Sequence, residues 1–203
     1  MSDFDSQILT LADSIDKAEG YSCPHAVRIA ILSDRMAVAF GFTDYDREVL
    51  WQASLLHDIG EMVMNRSYLK ENRALYEEER LDMQRHPIIG EQELARRNFP
   101  KATQLLVRWH HEWWNGTGYP DALEREEIPL SARILRVADS FVSMTAMRSY
   151  RAAFSEEETK EYIRERAGVE FDPTVVKVFF ELGNIEQIFE ELESSVQIVK
   201  GDV

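Results

Sequence analysis

The stretch RWHHEWWNGTGYP, residues 108–120, sets two imidazoles side by side and follows them with a carboxylate, two indoles and a glycine-spaced loop. The chain's five histidines are His25, His57, His86, His110 and His111. His57 precedes Asp58 at the end of an apolar run, His110 and His111 come late in another, and Asp139 ends the apolar ILRVAD. Burying such groups unpaired is costly, so several that converge from different helices need a cation among them. Adjacent helical residues diverge by about 100°. A His-Asp or His-His pair therefore reaches two points a few ångströms apart, as a two-metal centre requires. Mixed imidazole and carboxylate donors suit iron, manganese, cobalt or zinc better than calcium or magnesium. Cys23 is a poor ligand, because two positions before His25 on a helix it would point to nearly the opposite side.

Helical periodicity dominates the elements that must position these groups. Phe4, Ile8, Leu11 and Ile15 recur at three- and four-residue steps, as do Val27, Ala30, Ile31, Asp34 and Val38. Thr43 followed by Asp46 reads as a capping box that opens one helix through REVLWQASLLHDIGEMVM. Further helices are expected over 81–97, 101–112, 130–148, 156–167 and 173–192. No segment alternates as a strand does, so the fold class is all-α. NGTGYPDALEREEIP is its longest loop, and Pro129 suits the first helical position after it. The charged SEEETKEYIRER is read as a solvated helix face, and the C-terminal IEQIFEELESSVQIVKGDV as an amphipathic helix with a tail.

A chain of 203 residues with 44% hydrophobic residues suits one domain. A net charge of −14 argues against a nucleic-acid polymer as partner. It leaves room for a small anion held by local arginines or metal. Neither a membrane span nor a signal peptide is recognisable, and the single cysteine suits a reducing compartment, so a cytoplasmic protein is expected.

LLHDIGE, MQRHPIIGEQEL, HHEWWNGTGYP, ILRVADSFVSMTAMRSYR and FDPTVV, in that order and with those gaps, resemble the HD-GYP family, bacterial phosphodiesterases of the HD superfamily that hydrolyse cyclic di-GMP. The match runs from about His25 to Phe180. The resemblance implies an N-terminal helix over 1–20, an HD-GYP domain over 21–182 and a C-terminal helix and tail over 183–203, all one unit. It implies a helical bundle with the GYP loop beside a buried dinuclear site of iron or manganese. One metal would be held by His25, His57, Asp58 and Asp139, the other by Asp58, His86, His110 and His111, with Asp58 bridging. The loop carrying Gly116, Gly118, Tyr119 and Pro120 would border the substrate groove, and Arg148 and Arg151 would engage phosphate or guanine unless they are surface arginines. Paired cations polarise water and phosphoryl oxygens and stabilise the leaving 3′-oxygen. The reaction implied is cleavage of cyclic di-GMP to linear pGpG or onward to GMP. A weakly catalytic cyclic di-GMP-binding module and a hydrolase for another nucleotide are the alternatives.

Where the family usually has lysine after HDIG, this chain has Glu61. On a continuous helix Glu61 shares the face of His57 and Asp58, where it would either repel phosphate or add a metal ligand, unless it is an exposed helix-end glutamate that points away. Tyr21 stands where members with a third metal carry glutamate, which favours two. Ala122 replaces the glycine usual after GYP, and Val142, Met147 and Ser149 also depart from the pattern. Trp113, Trp114 and Tyr119 either stack a guanine or pack against the core. Only 24 residues precede His25, so either the protein acts alone, as monomer or homodimer, or with a protein partner, or a sensor or receiver domain precedes this sequence.

Overall fold

HAVRIAILSDRMAVA is apolar almost all round, and such a helix belongs inside a protein. In the computed structural model, which describes residues 3–21, 23–71, 73–147 and 153–190, it forms helix α2 (His25–Ala39), with ten buried residues. α3 (Asp44–Leu56) and α8 (Leu130–Thr145) pack against it, and α1 (Asp3–Glu19) lies over α2, α3 and α4 (Ile59–Met64). α5 (Glu77–Met83) leads into α6 (His86–Arg96), which packs on α4 and on α7 (Lys101–Trp109). α9 (Glu156–Glu165) and α10 (Pro173–Glu181) close the bundle against α8. Short 3-10 turns cover Ser67–Lys70 and Arg125–Glu127. The described residues contain two isolated β-bridges and no strand, and no helix among them is long and apolar enough to cross a membrane.

The all-α expectation holds, but several helices stop earlier than the periodicity suggests. The helix expected from Thr43 to Met64 breaks after Leu56 and restarts at Ile59. At the break the His57 imidazole Nδ1 sits 2.9 Å from the Ser54 carbonyl, satisfying a group that the ending helix leaves bare. The helix expected over 81–97 is two helices, because Pro87 has no N–H to donate and is tolerated only in a first turn. The helix expected over 173–192 ends at Glu181, where Gly183 takes φ +80°, and residues 185–190 form a separate helical turn. Pro129 is the N-cap of α8, one position before the place expected for it. At Thr43 the hydroxyl accepts from the Asp46 N–H at 3.2 Å, but the Asp46 carboxylate takes the Thr43 hydroxyl at 2.6 Å rather than its backbone N–H. Val38, placed on the apolar stripe by its spacing, is 50% exposed. Asp34 turns from the core to a two-bond pair with Arg47, tying α2 to α3.

Two glycines set the closest helix approach. A Cβ on Gly60 would lie 2.0 Å from the His86 carbonyl oxygen, and one on Gly90 2.8 Å from Val107 Cγ1. α4, α6 and α7 can therefore meet at this distance only with bare Cα atoms there, and that approach carries His86 to the side of Asp58.

Candidate metal centre

His57 follows α3, His86 follows α5 by three residues, and His110 follows α7. Each imidazole caps the end of the helix before it: Nδ1 meets the carbonyl three residues back, at 2.9 Å from Ser54, 2.8 Å from Met83 and 2.7 Å from Val107. A ring nitrogen facing a carbonyl must carry the proton, so in the neutral tautomer Nε2 keeps a lone pair for a cation. The helix ends also present their negative poles to the same spot.

Those lone pairs converge. Nε2 of His86 lies 3.3 Å from Nε2 of His110, a contact of two acceptors that only a proton or a metal between or beside them makes favourable. Asp58 stands between the rings, with Oδ2 2.8 Å from His57 Nε2 and Oδ1 3.2 Å from His86 and 3.6 Å from His110. His25, at the start of α2, is buried, and neither ring nitrogen has a hydrogen-bond partner among the described residues. Asp139, on α8, lies 3.9 Å from His57. Potential ligand atoms fall into two groups, Asp58, His86, His110 and His111 in one and His25, His57 and Asp139 in the other, each within 4.8 Å. The donor set and its orphaned buried nitrogens fit bound metal ions.

The electrostatics of the metal-free site have the same cause. Burial holds His25 down to about 3, with His57 adding to the effect. Burial works against the His57 cation too, but Asp58 and Asp139 overcome it and raise the group to about 10. A proton there does what a metal would do for Asp58. Burial opposes ionisation of Asp58, yet the surrounding imidazoles hold it well below the ordinary carboxylate range. Burial lowers His110 and, further, His111.

A cavity of about 320 Å³ opens beside these groups, lined by Asp58, Glu61, His111, Tyr119, Arg136, Asp139 and Glu170 among others. Glu61 does face the site, although the continuous helix invoked for it is broken. Its Oε1 is 3.9 Å from His86 Nδ1, and burial with the Asp58 charge raises it to about 7. It belongs to neither group of potential ligands. Tyr21 stacks on His25, ring centroids 3.7 Å apart, and Cys23 lies before α2 rather than on it.

The GYP loop is tied to the histidine pair by Glu112. Its buried carboxylate accepts the N–H groups of Asp121 at 2.7 Å and Leu123 at 3.1 Å. Tyr119 N–H bonds the His111 carbonyl, and Gly118 passes so close that a Cβ would sit 2.2 Å from Trp113 N. Tyr119 stacks on His111 at 4.9 Å. Trp113 and Trp114 do not line the cavity; they lie under Arg166 and Arg133. The N–H groups of Trp114 and Asn115 bond the carbonyls of Glu170 and Val169, so this stretch holds the loop rather than offers a stacking face. Arg148 and Arg151 lie outside the described residues.

Sequence reasoning missed Arg136 and Glu170. Arg136 bonds His111 Nδ1 at 3.0 Å, Asp139 at 3.4 Å and Glu170, and Glu170 also accepts from Tyr162. A signal was present for one link, since Arg136 is three residues before Asp139 on an apolar helix. Glu170, 34 residues further on, gave none.

The HD domain family profile matches residues 9–175. Among curated proteins the chain is 38% identical to a cyclic di-GMP phosphodiesterase of Vibrio cholerae over 65% of this chain and 28% of the relative. It is 30% identical to the 3'3'-cGAMP-specific phosphodiesterase 2 of the same organism over 86% of this chain and 34% of that protein. The chain thus spans about a third of the length of these relatives. A solved cyclic GMP-AMP specific phosphodiesterase from V. cholerae shares the fold, with a TM-score of 0.69 at 22% identity over 87% of this chain and 47% of that one. With its helical bundle, its HD pair at 57–58 and the HHE and GYP elements that follow, the chain belongs to the HD domain family and carries the HD-GYP set of motifs.

Proposed function

We propose that this protein is a metal-dependent phosphodiesterase that cleaves cyclic di-GMP. The observation that carries the reading is Asp58, whose two carboxylate oxygens face different histidines, His57 on one side and His86 with His110 on the other. This supports two transition-metal ions, iron or manganese, one held by His25, His57, Asp58 and Asp139 and the other by Asp58, His86, His110 and His111. When bound, the metals would activate water and stabilise charge on the phosphoryl and leaving oxygens.

The chain's own residues do the rest. Nδ1 of His57, His86 and His110 is fixed by backbone carbonyls, which fixes ring orientation as well as tautomer. Ser143 donates to Asp139 at 2.8 Å and orients that carboxylate. Tyr119 and the walls of the cavity border the centre and the place for the nucleotide. Relatives named for cyclic di-GMP and for 3'3'-cGAMP both match, so the two cyclic dinucleotides are the substrates to compare.

Anaerobically purified protein, analysed for metal and assayed against both, tests the reading. About two metal ions per chain and turnover of cyclic di-GMP to pGpG are expected. Tight binding without turnover would instead make the chain a sensor, and neither binding nor turnover would overturn the proposal.

A further inference from the structure

We propose that Arg136 is the residue that binds a substrate phosphate in the cavity beside the two His/Asp groups, a role that rests on the phosphodiesterase reading above. Asp58, Glu61, Asp139 and Glu170 all line this cavity, and Arg136 is the one arginine or lysine among its described lining residues. A cyclic dinucleotide brings two phosphodiester charges that stay ionised at any working pH. Metals would balance the ligand carboxylates and Glu170 is paired, but Glu61 still faces the incoming anion, and Arg136 is the cation among the described lining residues that answers it.

The guanidinium is placed for this task. NH1 lies 3.0 Å from His111, a member of one group, and 3.4 Å from Asp139, a member of the other. A phosphate reaching both groups comes within range of the same fork. NH2 is held by Glu170, itself fixed by the Tyr162 hydroxyl, so one corner of the guanidinium is anchored while NH1 is the arm that can turn.

The His111 contact shows when it turns. Arginine only donates, so the NH1 bond uses a lone pair on His111 Nδ1. A neutral imidazole has one lone pair, and a cation bound by His111 claims it. The NH1 bond and a metal on His111 therefore compete, and the arm that His111 releases needs another acceptor. In this cavity a phosphate oxygen is that acceptor, bound by the planar fork arginine offers.

Replacing Arg136 alone would take the nearer of two cations from the Glu170 carboxylate, 1% exposed, leave it only Arg166 at 3.9 Å and endanger folding. The test therefore uses the double variant Arg136→Met/Glu170→Gln beside Arg136→Lys, each checked by circular dichroism and loaded with manganese. KM, kcat and cyclic di-GMP dissociation constants are measured with manganese affinity. For the double variant KM should rise at least about tenfold, ~1.4 kcal/mol of lost affinity, with kcat changing less and manganese binding equal or tighter, since a competing cation has gone. Arg136→Lys should fall between. Unchanged KM and dissociation constant in an active protein would overturn the role of Arg136 alone. Manganese lost in step with activity would overturn it too, because Arg136 would then merely support the ligands. A wild-type protein that neither binds nor cleaves cyclic di-GMP would instead remove the phosphodiesterase reading on which the role depends.

Discussion

At Glu61 charge and burial conflict in the metal-free protein, and Glu61→Gln isolates the conflict. The carboxyl is raised from 4.5 to about 7, chiefly by burial and then by Asp58, and its side chain is 20% exposed. An acid whose folded value lies above its unfolded value holds its proton more tightly when folded. The stability this gives is complete below 4.5 and is lost as pH rises to about 7. A rise of that size at about 1.4 kcal/mol per unit is on the order of 3 kcal/mol. The amide cannot ionise, so Glu61→Gln should melt with the wild type near pH 4.5 and above it at pH 8. The gap should be roughly 6–12 °C, using ~2–4 °C per kcal/mol for a domain of this size. Melts of chelator-treated proteins across pH 4.5–8 read it directly, the histidines being common to both proteins. Parallel melting curves across that window would refute the reasoning and place the Glu61 carboxylate in water.

Manganese at about a hundred times its dissociation constant should stabilise the protein by ~2.7 kcal/mol per site, a rise of roughly 5–10 °C that a chelator reverses; a melting temperature indifferent to both would count against a metal centre. Gly60→Ala places a Cβ 2.0 Å from the His86 carbonyl, so α4 and α6 must separate; melting should fall by several degrees and manganese affinity with it, as calorimetry and metal titration will show. Ala122 sits at φ +54°, a left-handed conformation costing about 1–2 kcal/mol outside glycine. Ala122→Gly relieves it but frees the unfolded chain, so a gain of ~1–3 °C is expected in thermal melts, and a loss would contradict the strain.

The gathering of the histidines with Asp58 and Asp139 was legible because motif order carries it: the HD pair, the HHE and GYP elements and the acid that ends ILRVAD stand in the sequence in the order that the family resemblance needs. The exact helix ends were not. Apolar spacing runs straight through His57–Asp58, whereas the chain breaks there as an imidazole takes the Ser54 carbonyl and Gly60 must pass the His86 backbone. Neither cause leaves a periodic trace. Glu61 was brought to the site by an argument from helical spacing that the broken helix does not support, yet α4 carries it there by packing on α6. Arg136 and Glu170 meet only because the 166–171 turn folds back onto the loop at Trp114 and Asn115, a tertiary contact that local pattern cannot encode.

Glu112 explains why the histidine pair and the GYP loop belong together in the sequence. It is the residue after His111, and its carboxylate gathers N–H groups from the chain immediately beyond Pro120. The Tyr119 N–H then closes on the His111 carbonyl, and Gly118 allows the close crossing. Hydrogen bonds from a buried charge of this kind are worth about 1.5–3 kcal/mol each. The loop is therefore not free to drift from the centre that it borders. Tyr119 is stacked on His111 beside the same link, so the cavity wall and the histidine pair are placed together. The left-handed turn at Ala122 bends the backbone toward Glu112, and the strain it carries is offset by the bonds made on either side. Substitutions at Glu112 should consequently be read as changes in the placement of His111 and Tyr119, even though Glu112 itself is not among the residues that line the cavity.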